Sequence, residues 1–165
     1  MIQLHAQPYD LYASGFYFTS AEEYAAKAKA NRNKFGEPVE EYEIQFIDGD
    51  ALDCELSKAW GLYQSSFAKY LEAAEDWSAD EKLRYIIAVG ECGYAHTDTP
   101  GELDVTLYEE RSYAKLAEQF VEDGLFGEVP DRFANYIDYE AIGRDLAIDY
   151  AQTIIAGAHY IYRCA

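Results

Sequence analysis

Apolar and polar residues change rhythm along the 165-residue chain, and the changes divide it into thirds. In the first third, residues 2–7 form a short strand segment closed by a Pro8-Tyr9-Asp10 turn, and residues 15–19 form a second, aromatic-rich one. Ser20-Ala21-Glu22-Glu23 then has the form of a capping box, opening an Ala-rich helix that ends between residues 31 and 36. Tyr42-Glu43-Ile44-Gln45-Phe46-Ile47 alternates with the two-residue period of a half-buried strand.

The middle third turns helical. Leu52, Leu56, Ala59, Trp60, Tyr63, Phe67, Tyr70 and Leu71 recur at three- and four-residue steps, predicting an amphipathic helix that Gly61 weakens slightly. Ser78-Ala79-Asp80-Glu81 is a second capping box, with Leu83, Ile86 and Ile87 behind it, and Asp98-Thr99-Pro100-Gly101 breaks the chain. The last third mixes both periods. Residues 103–108 alternate as a strand, and residues 112–123 form a helix stopped by Gly124. Pro130 and Asp138 mark two further helix starts, and residues 153–155 and 159–162 form a hairpin around Gly157. The expected class is α+β in three small domains: an N-terminal antiparallel sheet with a helix (residues 1–53), a helical middle (54–100), and a C-terminal set of strands and helices (101–165).

Charge changes this picture from an ordinary small fold to an unusual one. The chain has 31 Asp and Glu against 13 Lys and Arg, a net charge of −18. The acids are spread throughout, with 10 in residues 1–53, 8 in 54–100 and 13 in 101–165, so no acidic tail accounts for them. Half of the residues are hydrophobic, including 16 Tyr, 8 Phe and 2 Trp, which sets the chain apart from acidic disordered segments. Direct binding to nucleic acid or to an anionic membrane is excluded, because both require basic patches. No uncharged run is long enough to span a bilayer, and the N-terminus lacks the features of a secretory signal. Cys54, Cys92 and Cys164 are odd in number and widely spaced, so reduced thiols in a cytoplasmic protein are expected.

Motifs of catalysis are missing from the sequence. His5, His96 and His159 stand alone, and no nucleophile elbow, Walker loop or dinucleotide fingerprint occurs. The acidic stretch from Asp48 to Glu55 fails as a calcium loop, since its sixth position is Asp53 and its twelfth Ala59. With so many carboxylates, a pair at glycosidase-like spacing carries no information. A carboxylate- or metal-dependent hydrolase is therefore a weaker alternative, and no cofactor or metal is expected.

Taken together, the acids suggest a surface. The candidates in the first third are Glu22, Glu23, Glu40, Glu41, Glu43, Asp48, Asp50 and Asp53. The middle adds Glu72, Glu75, Asp76, Asp80 and Glu81, and the last third Glu109, Glu110, Glu118, Glu122 and Asp123. Several stand three or four residues apart on helices, where like charges repel. A highly solvated, halophile-like surface accounts for such a composition, and so does imitation of another polyanion. Duplex DNA carries one charge per about 1.7 Å, so 18 excess charges correspond to about 30 Å of duplex, and a symmetric dimer to about 60 Å.

One region is more specific. Gly124-Leu125-Phe126-Gly127-Glu128-Val129-Pro130, followed by Asn135-Tyr136-Ile137-Asp138-Tyr139-Glu140-Ala141-Ile142-Gly143-Arg144-Asp145-Leu146, closely resembles the ArdA family of antirestriction proteins. Weaker similarity covers Gly15-Phe16-Tyr17-Phe18, with Tyr17 where the family has Trp, and extends to Glu41-Tyr42-Glu43-Ile44 and to residues 56–60. The resemblance implies a protein of mobile genetic elements, elongated, three-domained and dimeric through its C-terminal region. It implies mimicry of B-form DNA and inhibition of type I restriction–modification enzymes or their methyltransferase core, in the cytoplasm of a bacterial host. The divergent N-terminal half leaves a CRISPR effector or another DNA-binding defence protein as an alternative partner. Within the motif, Gly127 and Gly143 are assigned to backbone geometry and Pro130 to a helix start. Tyr136, Ile137 and Tyr139 are assigned to the core or the dimer contact. Glu128, Asn135, Asp138, Arg144 and Asp145 complete the set, with Arg144 as a partner for Asp145 or another acid.

Overall fold

The computed structural model describes residues 1–165 and is α+β, with two separate three-stranded antiparallel sheets. The chain packs as two compact units, Met1–Leu103 and Asp104–Ala165.

In the first unit the sheet is built from β1 (Gln3–Pro8), β2 (Phe16–Phe18) and β3 (Tyr42–Asp48), in the order β2-β1-β3. Alternation sets its faces: Leu4, Ala6, Phe18, Tyr42 and Ile44 point inward and are buried, while Glu43 between the last two is exposed. Helix α1 (Ala21–Ala30) starts at Ser20, whose hydroxyl accepts the Glu23 N–H at 3.2 Å. The box is not reciprocal at Ser20, because the Glu23 carboxylate reaches one residue further back, to the Thr19 N–H at 2.8 Å. Phe16, Phe18, Tyr24, Tyr42 and Phe67 pack ring against ring, with Tyr24 and Phe67 centroids 4.6 Å apart.

The predicted middle helix is broken. It forms α2 (Ala51–Trp60) and α3 (Phe67–Asp76), separated by a turn at Gly61, whose φ of 69° is a left-handed conformation. Tertiary bonds reward the break. In the turn, Gln64 accepts the Tyr42 N–H at 2.9 Å and donates to the Tyr24 hydroxyl and the Glu40 carbonyl, tying the helices to the sheet. The apolar period survives on both sides, with Leu56, Phe67 and Tyr70 buried. The expected domain boundary after residue 53 falls inside α2, so no linker separates sheet from helices there.

Helix α4 (Ala79–Tyr85) opens on the predicted capping box, complete in both directions between Ser78 and Glu81. It runs on into a π-helical segment, Ile86–Glu91, whose Ile86, Ile87 and Ala88 are buried. Trp60, Trp77, Tyr85 and His96 form a second aromatic cluster, and the Tyr85 hydroxyl lies 2.7 Å from His96 Nδ1.

The second unit holds β4 (Val105–Tyr108), α5 (Tyr113–Glu122), a 3-10 turn (Asp131–Tyr136), α6 (Tyr139–Asp149), β5 (Ala151–Ile155) and β6 (Ala158–Cys164). The sheet order is β4-β6-β5, and β5 and β6 form the predicted hairpin around Gly157. Leu116, Phe120 and Ile161 centre its core, with Tyr108, Tyr113, Leu146 and Tyr150 packed around them. Asp138 caps α6 by accepting the Ala141 N–H at 2.9 Å, and Gly124 ends the turn after α5 with a φ of 73°. The reason for Gly143 is proximity rather than backbone conformation. A Cβ there would meet the backbone of Tyr113 and Ala114 at 2.9 Å, so only glycine allows α5 and α6 to approach so closely.

No helix is long and apolar enough to cross a membrane. The expectation of reduced thiols holds for Cys54, a free thiol, and not for Cys92 and Cys164.

Candidate functional site

Carboxylates are placed by the same periodicities that build the cores. Of the 31 Asp and Glu residues, 24 are exposed, 6 are partly exposed and a single one is buried. The first unit carries 19 acids against 8 bases and the second 12 against 5, so both are strongly negative.

On the first unit, Glu22, Glu40, Glu41, Glu43, Asp48 and Asp50 are exposed, from α1 through β3 to the entry of α2. Glu23 is partly exposed and doubles as a structural group, receiving bonds from Thr19 and an ion pair from Lys27 at 2.7 Å. Those bonds, the Lys27 ammonium foremost, hold its carboxyl down at about 2, well below the ordinary 4.5. Helix α3 buries Phe67, Tyr70, Ala73 and Ala74, and turns Glu72, Glu75 and Asp76 outward. None of these three acids has a base within ion-pair distance. Asp80 is exposed but paired with Arg84 at 2.6 Å, while Glu81 is spent on its capping box, which lowers its pKa through the Ser78 N–H.

Asp53 departs from expectation. It is 7% exposed and ion-paired with Lys82 at 2.7 Å, both side chains being largely enclosed. Lys82 also donates to the Ala74 carbonyl at 2.6 Å, so this pair joins α2, α3 and α4. Asp53 is thus an internal brace and does not belong to the acidic surface. Sequence spacing cannot reveal such a partner 29 residues away.

On the second unit, Glu109, Glu122 and Asp123 are exposed, and Glu110 and Glu118 partly so. Glu118 is neutralised by Lys115 at 2.5 Å. The motif residues divide into support and display. Asp138 caps a helix, Gly143 is buried, and Ile137 and Tyr139 are partly exposed. Gly127, with a φ of 89°, lies in the exposed loop after α5 with Glu128, and Pro130 immediately precedes the 3-10 turn. Asn135, Arg144 and Asp145 are exposed. Arg144 forms no ion pair with Asp145 or any other acid within its unit. Tyr136, expected in the core or a dimer contact, is 83% exposed and so contributes nothing to the core. Leu125, Phe126 and Phe133 in the same stretch are exposed too, interspersed with the exposed Glu128, Asp131 and Arg132.

No group of three or more His, Cys, Asp or Glu side chains is arranged to hold a metal ion. What the surface offers chemically is dispersed negative charge.

A family profile described as antirestriction protein (ArdA) matches residues 9–160. The chain belongs to the ArdA family. The match spans both units and takes in the motif, the caps and every surface acid, so the resemblance carried by residues 124–146 extends over almost the whole chain. Membership of the ArdA family implies an antirestriction function. Among curated proteins, none matches the chain.

Buried and surface acids respond oppositely to loss of charge. Lys82→Met strands Asp53 in the interior and is expected to cost about 3–5 kcal/mol. Glu72→Gln, which relieves repulsion on an exposed helix face, is expected to change stability by no more than about 0.5 kcal/mol. Urea denaturation of the two variants measures the contrast, and equal losses would contradict the assignment of Asp53 to the interior.

Proposed function

We propose that this ArdA protein inhibits type I restriction–modification enzymes by occupying the DNA-binding channel of their methyltransferase core. Its surface carboxylates stand in for phosphates. The observation that carries this reading is the placement of charge: 24 acids are exposed, and both units are negative in their own right. A channel shaped to bind a polyanion attracts such a surface by the same steering and counterion release that draw DNA. Inhibition by occupancy needs no nucleophile, metal or cofactor. It takes place in the cytoplasm of the bacterial host, where the enzymes meet incoming DNA.

The proposed active form is a homodimer joined through the motif surface. Leu125, Phe126, Phe133 and Tyr136, all within residues 125–136, are exposed, and a second copy would remove their apolar area from water.

Purified protein is expected to displace duplex DNA from a type I methyltransferase at stoichiometric amounts in low salt. Failure to compete under those conditions overturns the reading. For the dimer, the double substitution Phe133→Ser and Tyr136→Ser is expected to convert a sedimenting dimer to monomer with the far-UV circular dichroism unchanged. An unaltered sedimentation coefficient would locate the contact elsewhere.

A further inference from the structure

A small cavity in the first unit combines features that diffuse charge does not require. It is about 220 Å3 and is lined by Trp60 and Trp77, by Glu72, Asp76 and Asp98, and by Lys69. The two indole rings lie 5.5 Å apart at 51°, and both side chains are partly exposed. Small-molecule sites usually enclose about 300–1,000 Å3, so this one suits a single side-chain head group better than a cofactor.

Its electrostatics are unbalanced. Lys69 is tied to Asp98 at 3.0 Å, which leaves Glu72 and Asp76 with no base in ion-pair distance. Asp76 stands at the C-terminal end of α3, where the helix dipole adds partial negative charge and where the last turn carries no basic residue, and Glu72 lies one turn before it. Lys82 does reach a carbonyl of that turn, but it is enclosed and bound to Asp53. An acid at a helix C-terminus, as Asp76 is, destabilises the free protein, and a cation entering the cavity would offset that cost. Tryptophan is the best aromatic partner for a cation, and the planar guanidinium both stacks on rings and bonds to carboxylates.

We propose that this cavity is a subsite for one arginine side chain of the partner protein. Trp60 and Trp77 contribute its aromatic walls, and Glu72 and Asp76 its charge. The source of that arginine, a DNA-binding channel, rests on the function proposed above; the capacity to bind a guanidinium does not. The subsite gives the complex one fixed anchor within an otherwise diffuse electrostatic contact.

Trp60 and Trp77 are the chain's two tryptophans, so indole fluorescence reports on the cavity directly. The probe is the blocked tripeptide Gly-Arg-Gly, with the neutral citrulline analogue as control, titrated at moderate salt to suppress diffuse attraction. A saturable change with the arginine peptide and none with citrulline is expected. In the double variant Glu72→Gln with Asp76→Asn, which removes only exposed charge, affinity should fall by about five- to tenfold without a lower Tm. An equal response to citrulline, a response that never saturates, or full affinity in the double variant overturns the subsite. Displacement of DNA from the methyltransferase by a protein that ignores the peptide would remove the subsite alone. Peptide binding by a protein that cannot displace DNA would remove the mimicry and leave the subsite standing.

Discussion

Self-repulsion of the excess negative charge is the constraint on which the other features depend. A chain with 31 acids and 13 bases must keep its carboxylates in water while still burying enough apolar area to fold. Small units have little interior, and here aromatic rings fill it. The cluster around Tyr24 and Phe67, the one around Trp60 and Tyr85, and the contact of Tyr108 with Phe120 concentrate apolar area in few residues. Tyrosine suits this arrangement, because it joins an apolar ring to a hydroxyl that can find a partner, and Tyr42, Tyr70, Tyr85, Tyr160 and Tyr162 are buried. Tyr70 shows this in its bond to the Asp53 carbonyl at 2.8 Å.

The acids then fall into kinds that a count does not distinguish. Glu23, Glu81 and Asp138 bind helix N-termini, where negative charge is favourable, so part of the charge excess stabilises the fold. Asp53 braces three helices from within. Glu72, Glu75 and Asp76 oppose one another on a helix face and gain nothing for the fold, which is the signature expected of residues kept for a partner. Such specialisation explains how the surface can carry this excess of charge without the protein behaving as an unfolded polyelectrolyte.

Local grammar was legible in the sequence wherever its physics is local. The caps at Ser20, Ser78 and Asp138, the Gly124 stop, the alternation of β3 and the hairpin at Gly157 all follow from neighbours within a few residues. Long-range partners produced the departures. The break at Gly61 depends on Gln64 reaching Tyr42, Tyr24 and Glu40, and an unbroken apolar period hides it. Asp53 read as a surface acid because Lys82 lies in another helix. Tyr136 read as core or dimer contact because aromatic residues usually pack, and its 83% exposure removes the first of these. The Trp60–Trp77 cavity was illegible for the same reason: its walls belong to different helix ends brought together by folding.

If dispersed carboxylates replace phosphates, affinity must come largely from displaced ions. Titrating the complex of this protein with a type I methyltransferase across a range of salt concentrations tests that most directly. The account predicts that log affinity falls linearly and steeply with log salt, approaching the slope that duplex DNA shows with the same enzyme. An affinity indifferent to salt would mean that binding rests on apolar contacts, and that the resemblance to DNA is not the mechanism.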